Sequence, residues 1–172
     1  YGPKMWNKKI ERFGATVIGA RKILVAYNVN VAEKDAKAAK VAGSLVRSSG
    51  RLIKTADGRK ARIPGMLPKV QGMGLPLDSH GISQVSMNLQ DVSTTPMHIA
   101  FEAVKSVVND HGIEVCGSEV VGLVPLSAMI ESGKWYADPE CTNENELVAA
   151  AIKGMGLDLS LIHISEPTRR TP

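Results

Sequence analysis

The chain predicts an α+β fold in which a β-sheet carries helices on one face only. Three observations lead there. Apolar and polar residues alternate over Ile82–Asp91, the period-two pattern of a strand with one covered and one polar face. Elsewhere the apolar spacing changes to a helical one, as in Ala38, Val41, Ala42 and Leu45. Such runs follow one another as strand, helix, strand, strand, helix, strand, with Gly and Pro at the joints.

Residues 1–20 read as a leading loop of Gly, Lys and turn formers. Residues 21–31 are the first strand, with Ile23, Val25, Tyr27, Val29 and Val31 on one face and Leu24, Ala26, Asn28 and Asn30 on the other. Two asparagines on one face need partners or water if they are covered. An amphipathic helix is expected between Ala32 and Ser49, with Gly50 as its stop. Asp57-Gly58 and Pro64-Gly65 mark turns in 51–65, a short hairpin or exposed loop. Leu67–Leu77 is broken by Gly72, Gly74 and Pro76, which an edge strand tolerates. In Ile82–Asp91, Val85, Met87 and Leu89 point one way and Gln84, Ser86, Asn88 and Gln90 the other.

Thr95-Pro96 opens a second long helix, with the hydroxyl at the N-cap and the proline in the first turn. Ile99, Ala100, Ala103, Val104, Val107 and Val108 line its buried side, and Gly112 stops it. Glu114–Val124 is the last strand, and Pro125 starts a short helix carrying Leu126, Met129 and Ile130. Asn143 followed by Glu146 resembles a capping box for a final helix over Leu147–Lys153. This order is that of a ferredoxin-like βαββαβ plait with extra C-terminal helices. Right-handed crossovers put its first and third strands side by side. Asn28 and Asn30 then join Gln84, Ser86 and Asn88 in a polar patch on the face the helices leave open.

A length of 172 residues with 44% hydrophobic and 22% charged side chains suits one globular domain with a sizeable core. The formal charge is +4, with basic residues gathered near the start and between Arg47 and Lys69. These are either solvated loops or contacts for an anionic partner. Aromatic residues are 4% and do not interleave with the basic runs, so no nucleic-acid partner is expected. No apolar run reaches the ~18–20 residues a membrane span needs, so no membrane partner is expected either. Cys116 and Cys141 lack metal-ligand or redox spacing, which points to a reduced, cytoplasmic setting and no metal. Both ends read as cut. Residues 159–172 resemble the translation of a sequencing adapter and are read as a non-native tail, His163 included.

Four blocks in order resemble one family. They are Gly19-Ala20-Arg21-Lys22-Ile23-Leu24-Val25-Ala26-Tyr27-Asn28-Val29-Asn30, Lys69-Val70-Gln71-Gly72-Met73-Gly74, Gln84-Val85-Ser86-Met87-Asn88-Leu89 and Gly117-Ser118-Glu119-Val120-Val121-Gly122-Leu123-Val124-Pro125. Together they are similar to the C-terminal subdomain of glutamate formimidoyltransferase, which is also the transferase half of formiminotransferase-cyclodeaminase. The resemblance covers 1–158, divided into part of the inter-subdomain folate loop (1–20) and the C-terminal subdomain (21–158).

That resemblance implies a homodimeric transferase of histidine breakdown that moves a formimino group from N-formimino-L-glutamate to tetrahydrofolate, a co-substrate. It implies that the proton-shuttling histidine lies in an N-terminal subdomain, the missing partner, so the chain alone is inert and contains no catalytic residue. His80, His98 and His111 match no family context and read as exposed loop or helix histidines. Gly2 and Pro3 match the start of the folate loop, and Gly14, Ala15 and Thr16 its close. Phe13 or Trp6 offers a ring face for the pterin. The implied substrate or subdomain-interface residues are Arg21, Asn28, Asn30, Gln84, Ser86 and Asn88. Arg21 either holds a carboxylate or caps the strand end, and Glu119 reads as a structural hydrogen-bond acceptor. The alternative is a non-catalytic, small-molecule-binding regulatory plait domain, since fold does not fix function. An RNA-binding plait would carry aromatics on its central strands, where this chain has Asn, Ser and Gln.

Overall fold

The computed structural model describes residues 5, 7–14, 16 and 18–159, with Phe13 described by its backbone alone. Gly2, Pro3, Trp6, Ala15, the Phe13 ring and residues 160–172 of the expected tail lie outside the described residues. In chain order the elements are α1 (Lys8–Phe13), β1 (Val25–Val31), α2 (Lys37–Val46), β2 (Arg51–Lys54), β3 (Lys60–Ile63), β4 (Val70–Leu77), β5 (Ile82–Leu89), α3 (Met97–Asn109), β6 (Val115–Val121), α4 (Leu126–Tyr136) and α5 (Glu144–Gly154).

Four strands form one antiparallel sheet in the order β4-β5-β1-β6. The units β1-α2-β4 and β5-α3-β6 each straddle one strand of the other, which is the connectivity of a split βαβ plait. β1 and β5 are central, as the crossover argument requires. The core face carries Val25, Tyr27, Val29 and Val31 of β1 with Val85, Met87 and Leu89 of β5. Ala39, Ala42 and Val46 of α2 and Met97, Ala100, Phe101 and Val104 of α3 bury against them. Tyr27 is fully buried, and its hydroxyl donates to Ser118 Oγ at 3.0 Å. Burial pushes that phenol far above its ordinary range.

Helix α2 rests directly on the backbone of β4. A Cβ added at Gly74 would lie 2.2 Å from the Ala39 carbonyl carbon, and one at Gly43 would lie 2.6 Å from that of Met73. The glycines that interrupt β4 in the sequence are therefore the seat of a helix, and β4 is an edge strand as expected. Helices α4 and α5 pack on each other, and Tyr136 Oη donates to Glu102 of α3 at 2.8 Å. Among the described residues no helix is long and apolar enough to cross a membrane.

Several elements depart from the sequence reading. Lys8–Phe13 is helical within the stretch read as a loop, because Asn7 Oδ1 accepts from Lys9 N and Ile10 N at 3.0 and 3.1 Å. The first strand begins at Val25 rather than residue 21. Helix α2 starts only at Lys37, after Ala36 turns left-handed at φ +54°. Thr95 does not cap α3: its hydroxyl donates to the Pro68 carbonyl at 2.6 Å, and Pro96 holds the cap position. Ile99 faces outward, and Met97 and Phe101 fill the core instead. Asn143 caps α5 through Asn145 N and Glu146 N, but the Glu146 carboxylate accepts from Cys141 Sγ rather than closing the box. The 51–65 stretch, by contrast, takes the first of the two forms expected of it, a hairpin with β2 paired to β3 around Gly58 at φ +78°.

Candidate functional site on the polar sheet face

Alternation along the central strands sends their polar residues to the face opposite α2 and α3. Register then brings them together. Asn28 stands across from Ser86 on one side and Glu119 on the other. Asn30 faces Gln84, while Asn88 lies beside Ala26 and Gln71. The expected cluster of Asn28, Asn30, Gln84, Ser86 and Asn88 thus exists as a contiguous patch, and Glu119 joins it.

The patch divides in two. One part is sealed: Gln84 Nε2 donates to Asn30 Oδ1 at 2.8 Å, and Asn30 Nδ2 donates to Glu119 Oε1 at 3.0 Å. Asn30 is 0%, Glu119 3% and Gln84 6% exposed. A carboxylate only accepts, so it obliges Asn30 to turn its amide nitrogen towards β6 and its oxygen towards Gln84. The second carboxylate oxygen, Glu119 Oε2, is buried without a hydrogen-bond partner among the described residues.

The other part is available. Gln71, Gly72, Met73, Ser86 and Asn88 line a depression of about 230 Å³. Asn28, Ser86 and Asn88 are half-buried, Met73 is exposed, and the three polar side chains make no hydrogen bond among the described residues. Amides and hydroxyls in that state offer both donors and acceptors to whatever covers them.

The segment ahead of β1 supplies the remaining expected residues. Gly14 ends α1 at φ +71°, its N–H donating to the Ile10 carbonyl at 2.7 Å. Gly19, by contrast, does not adopt positive φ. Thr16 and Arg21 are exposed and stand outside any helix or strand. No hydrogen bond ties Gly14, Thr16 or Arg21 to the patch among the described residues. Lys22 is the pin here: its ammonium donates to Asp91 Oδ2 at 2.6 Å and Ser93 Oγ at 3.4 Å, joining the approach to β1 with the exit of β5. The Lys22 charge, with help from Ser93, holds the Asp91 carboxyl well below the usual carboxylate range.

The histidines lie elsewhere. His80 and His111 are exposed, as expected. His98 is not: it is 6% exposed between α3 and α4, its ring stacked on Trp135 at 5.3 Å between centroids. Burial lowers its pKa from the ordinary value. Cys116 and Cys141 are unpaired, and burial raises the Cys116 thiol. Among the described residues no three His, Cys, Asp or Glu side chains are grouped to hold a metal ion. The sequence reading left Glu119 out of the site. The missing signal was strand order, because β6 borders β1 and the parity of Glu119 then matches that of Asn28.

Comparison with known proteins agrees with this geometry. The family model described as "Formiminotransferase domain" matches residues 26–170. The chain is 34% identical over 161 residues to formimidoyltransferase-cyclodeaminase of Mus musculus, covering 92% of this chain and 28% of that protein. It is 36% identical over 160 residues to the protein of the same name in Dictyostelium discoideum, covering 91% and 28%. To glutamate formimidoyltransferase of Streptococcus pyogenes serotype M1 it is 30% identical over 141 residues, covering 81% and 42%. The chain therefore spans well under half the length of these relatives. By the extent of the match, this chain belongs to the formiminotransferase domain family.

Proposed function

We propose that the chain is the C-terminal lobe of a transferase that carries the formimino group of N-formimino-L-glutamate to tetrahydrofolate in histidine degradation. In that reaction N5 of tetrahydrofolate attacks the formimino carbon, and the bond from that carbon to the glutamate nitrogen breaks. A proton passes to the leaving amine, and glutamate departs. The proton-shuttling histidine sits on the N-terminal lobe, which docks on the polar sheet face described above. Two such chains form a homodimer in the cytoplasm.

One observation carries the reading: a contiguous patch of amide and hydroxyl side chains on Asn28, Ser86 and Asn88, without hydrogen-bond partners among the described residues, over a sheet whose other face is filled by helices. A second lobe and two polar ligands suit such a surface better than solvent does. Within this reading residues 1–20 belong to the folate loop, with Gly2, Pro3, Phe13, Gly14, Ala15 and Thr16 approaching the pterin. Small residues there let backbone amides come close to a flat ring system. Arg21, whose exposed guanidinium has no partner among the described residues, takes a glutamyl carboxylate in a two-pronged hydrogen bond.

The test is turnover by the parent protein with its N-terminal half in place, followed by mass spectrometry of the folate product. Transfer of the formimino group by the parent, and none by this chain alone, is the expected result. A parent that binds no tetrahydrofolate by titration calorimetry overturns the proposal. Arg21→Ala is expected to raise KM for formiminoglutamate with little change in melting temperature.

A further inference from the structure

Large apolar side chains stand in solvent at one end of the sheet. β1 begins and β6 finishes there, with Ala26 of β1 opposite Val121 of β6. Val121 is 51% exposed, Leu123 in the exit from β6 is 90% exposed, and Leu126 in the first turn of α4 is 58% exposed. Ile23, on the approach to β1, is 67% exposed. Gly122 turns the chain between Val121 and Leu123 at φ +90°, a backbone geometry that favours glycine. Val120 and Val124 on either side pack against the core, so inward positions exist here and Leu123 is left out of them. Val121 also shares a face with the amide patch, because Ala26 lies between it and Asn88 in one row across the sheet.

We propose that this apolar end is the foothold of the lobe that precedes the chain in the parent protein. The inference rests on the two-lobe reading above and adds to it the residues that hold the lobe in place. Three arguments select that occupant. Amides and hydroxyls alone make a poor seat, since a stable interface has an apolar core within a polar rim. Val121 brings the apolar part into the same row as Asn88, and Leu123 and Leu126 extend it. Next, the segment that joins the lobes enters β1 past Ile23, so the preceding lobe is tethered at this end of the sheet. A second copy of the chain fits less well. Four side chains fall short of the ~800 Å² per partner that a stable dimer buries, whereas beside the polar face they extend a larger footprint.

The experiment places Leu123→Ser together with Leu126→Ser in this chain alone and in the parent protein with its N-terminal half. In the chain alone both positions face water, and Tm is expected to move by less than about 2 °C. In the parent, trypsin is expected to cut the joining segment, at Lys8, Lys9 or Arg12, roughly fivefold faster than in wild type, because a loosened lobe exposes its tether more often. The sedimentation coefficient of the parent is expected to stay unchanged. Should the double variant of the parent fail to fold, Leu123→Ala carries the same comparison. A variant parent cut at the wild-type rate overturns the inference. So does one that sediments at half the wild-type mass, which assigns the patch to a second copy. A Tm that already falls in the chain alone assigns the leucines to the core and overturns it as well. Turnover is not the readout: a parent that passes this test but transfers no formimino group overturns the transferase reading and leaves the foothold standing.

Discussion

At the scale of single residues, space and charge decide which positions tolerate change. Gly74 has no room: a methyl there meets both the Ala39 carbonyl carbon and the Lys40 nitrogen at 2.2 Å, and these are backbone atoms inside a helix. Gly74→Ala is expected to destabilise the chain by about 2–3 kcal/mol, from overpacking that only a shift of α2 relieves. Urea unfolding monitored by circular dichroism checks it. A different residue-scale term is the Lys22–Asp91 pair. Because the folded Asp91 carboxyl titrates below its unfolded value, its contribution is fully present above about pH 4 and is lost as pH falls through the depressed folded value. Lys22→Met is therefore expected to cost stability at pH 7 and progressively less below pH 4. Paired unfolding curves at pH 7 and pH 3 test the sign. A gap that widens on acidification rejects the assignment. Lys22 is two-thirds exposed, so the effect is a modest one that salt weakens.

At the scale of elements, most of the plait was legible because strand alternation and helical spacing are local signals. Val85, Met87 and Leu89 point inward and Ser86 and Asn88 outward, as the alternation requires. What escaped were features fixed by partners distant in sequence. Thr95 looked like a cap but is drawn to the Pro68 carbonyl, and Gly72 and Gly74 looked like breaks but receive a helix. Glu119 was read as an acceptor, which it is, yet only the β1–β6 pairing reveals which residue it serves. The basic insert is a separable element. Among the described residues its strands pair only with each other, and its stem closes where a Cβ added at Gly65 would lie 3.2 Å from Gly50 N. Lys54 and Lys60 stand directly across from each other, a repulsive pair that contributes nothing to stability. Joining Gly50 to Gly65 without residues 51–64 is expected to cost on the order of 1 kcal/mol, or about 3 °C in Tm. Loss of cooperative melting in the shortened chain would show that the hairpin supports the core.

At the scale of the whole molecule, the two faces of one sheet have opposite chemistry, and that asymmetry is what a covering lobe would exploit. The core face is saturated, with Val25, Tyr27, Val29, Val85 and Leu89 all at 0% exposure. The opposite face keeps its depression at Met73, Ser86 and Asn88, and Met73 in its lining is 61% exposed. Met73 lines that depression, whereas the hairpin residue Leu52, 56% exposed, belongs to the other sheet. The two positions thus form a matched pair for accessibility. With Cys116 and Cys141 replaced by serine, Met73→Cys and Leu52→Cys are each expected to react readily with a maleimide in this chain. In the parent protein with its N-terminal half present, Met73→Cys is expected to slow by at least tenfold while Leu52→Cys keeps its rate. Equal slowing at both sites would signal general compaction, and no slowing at Met73 would remove the polar face as the seat of the second lobe. Only selective protection at Met73 fits a molecule whose two lobes meet across the amide and hydroxyl patch.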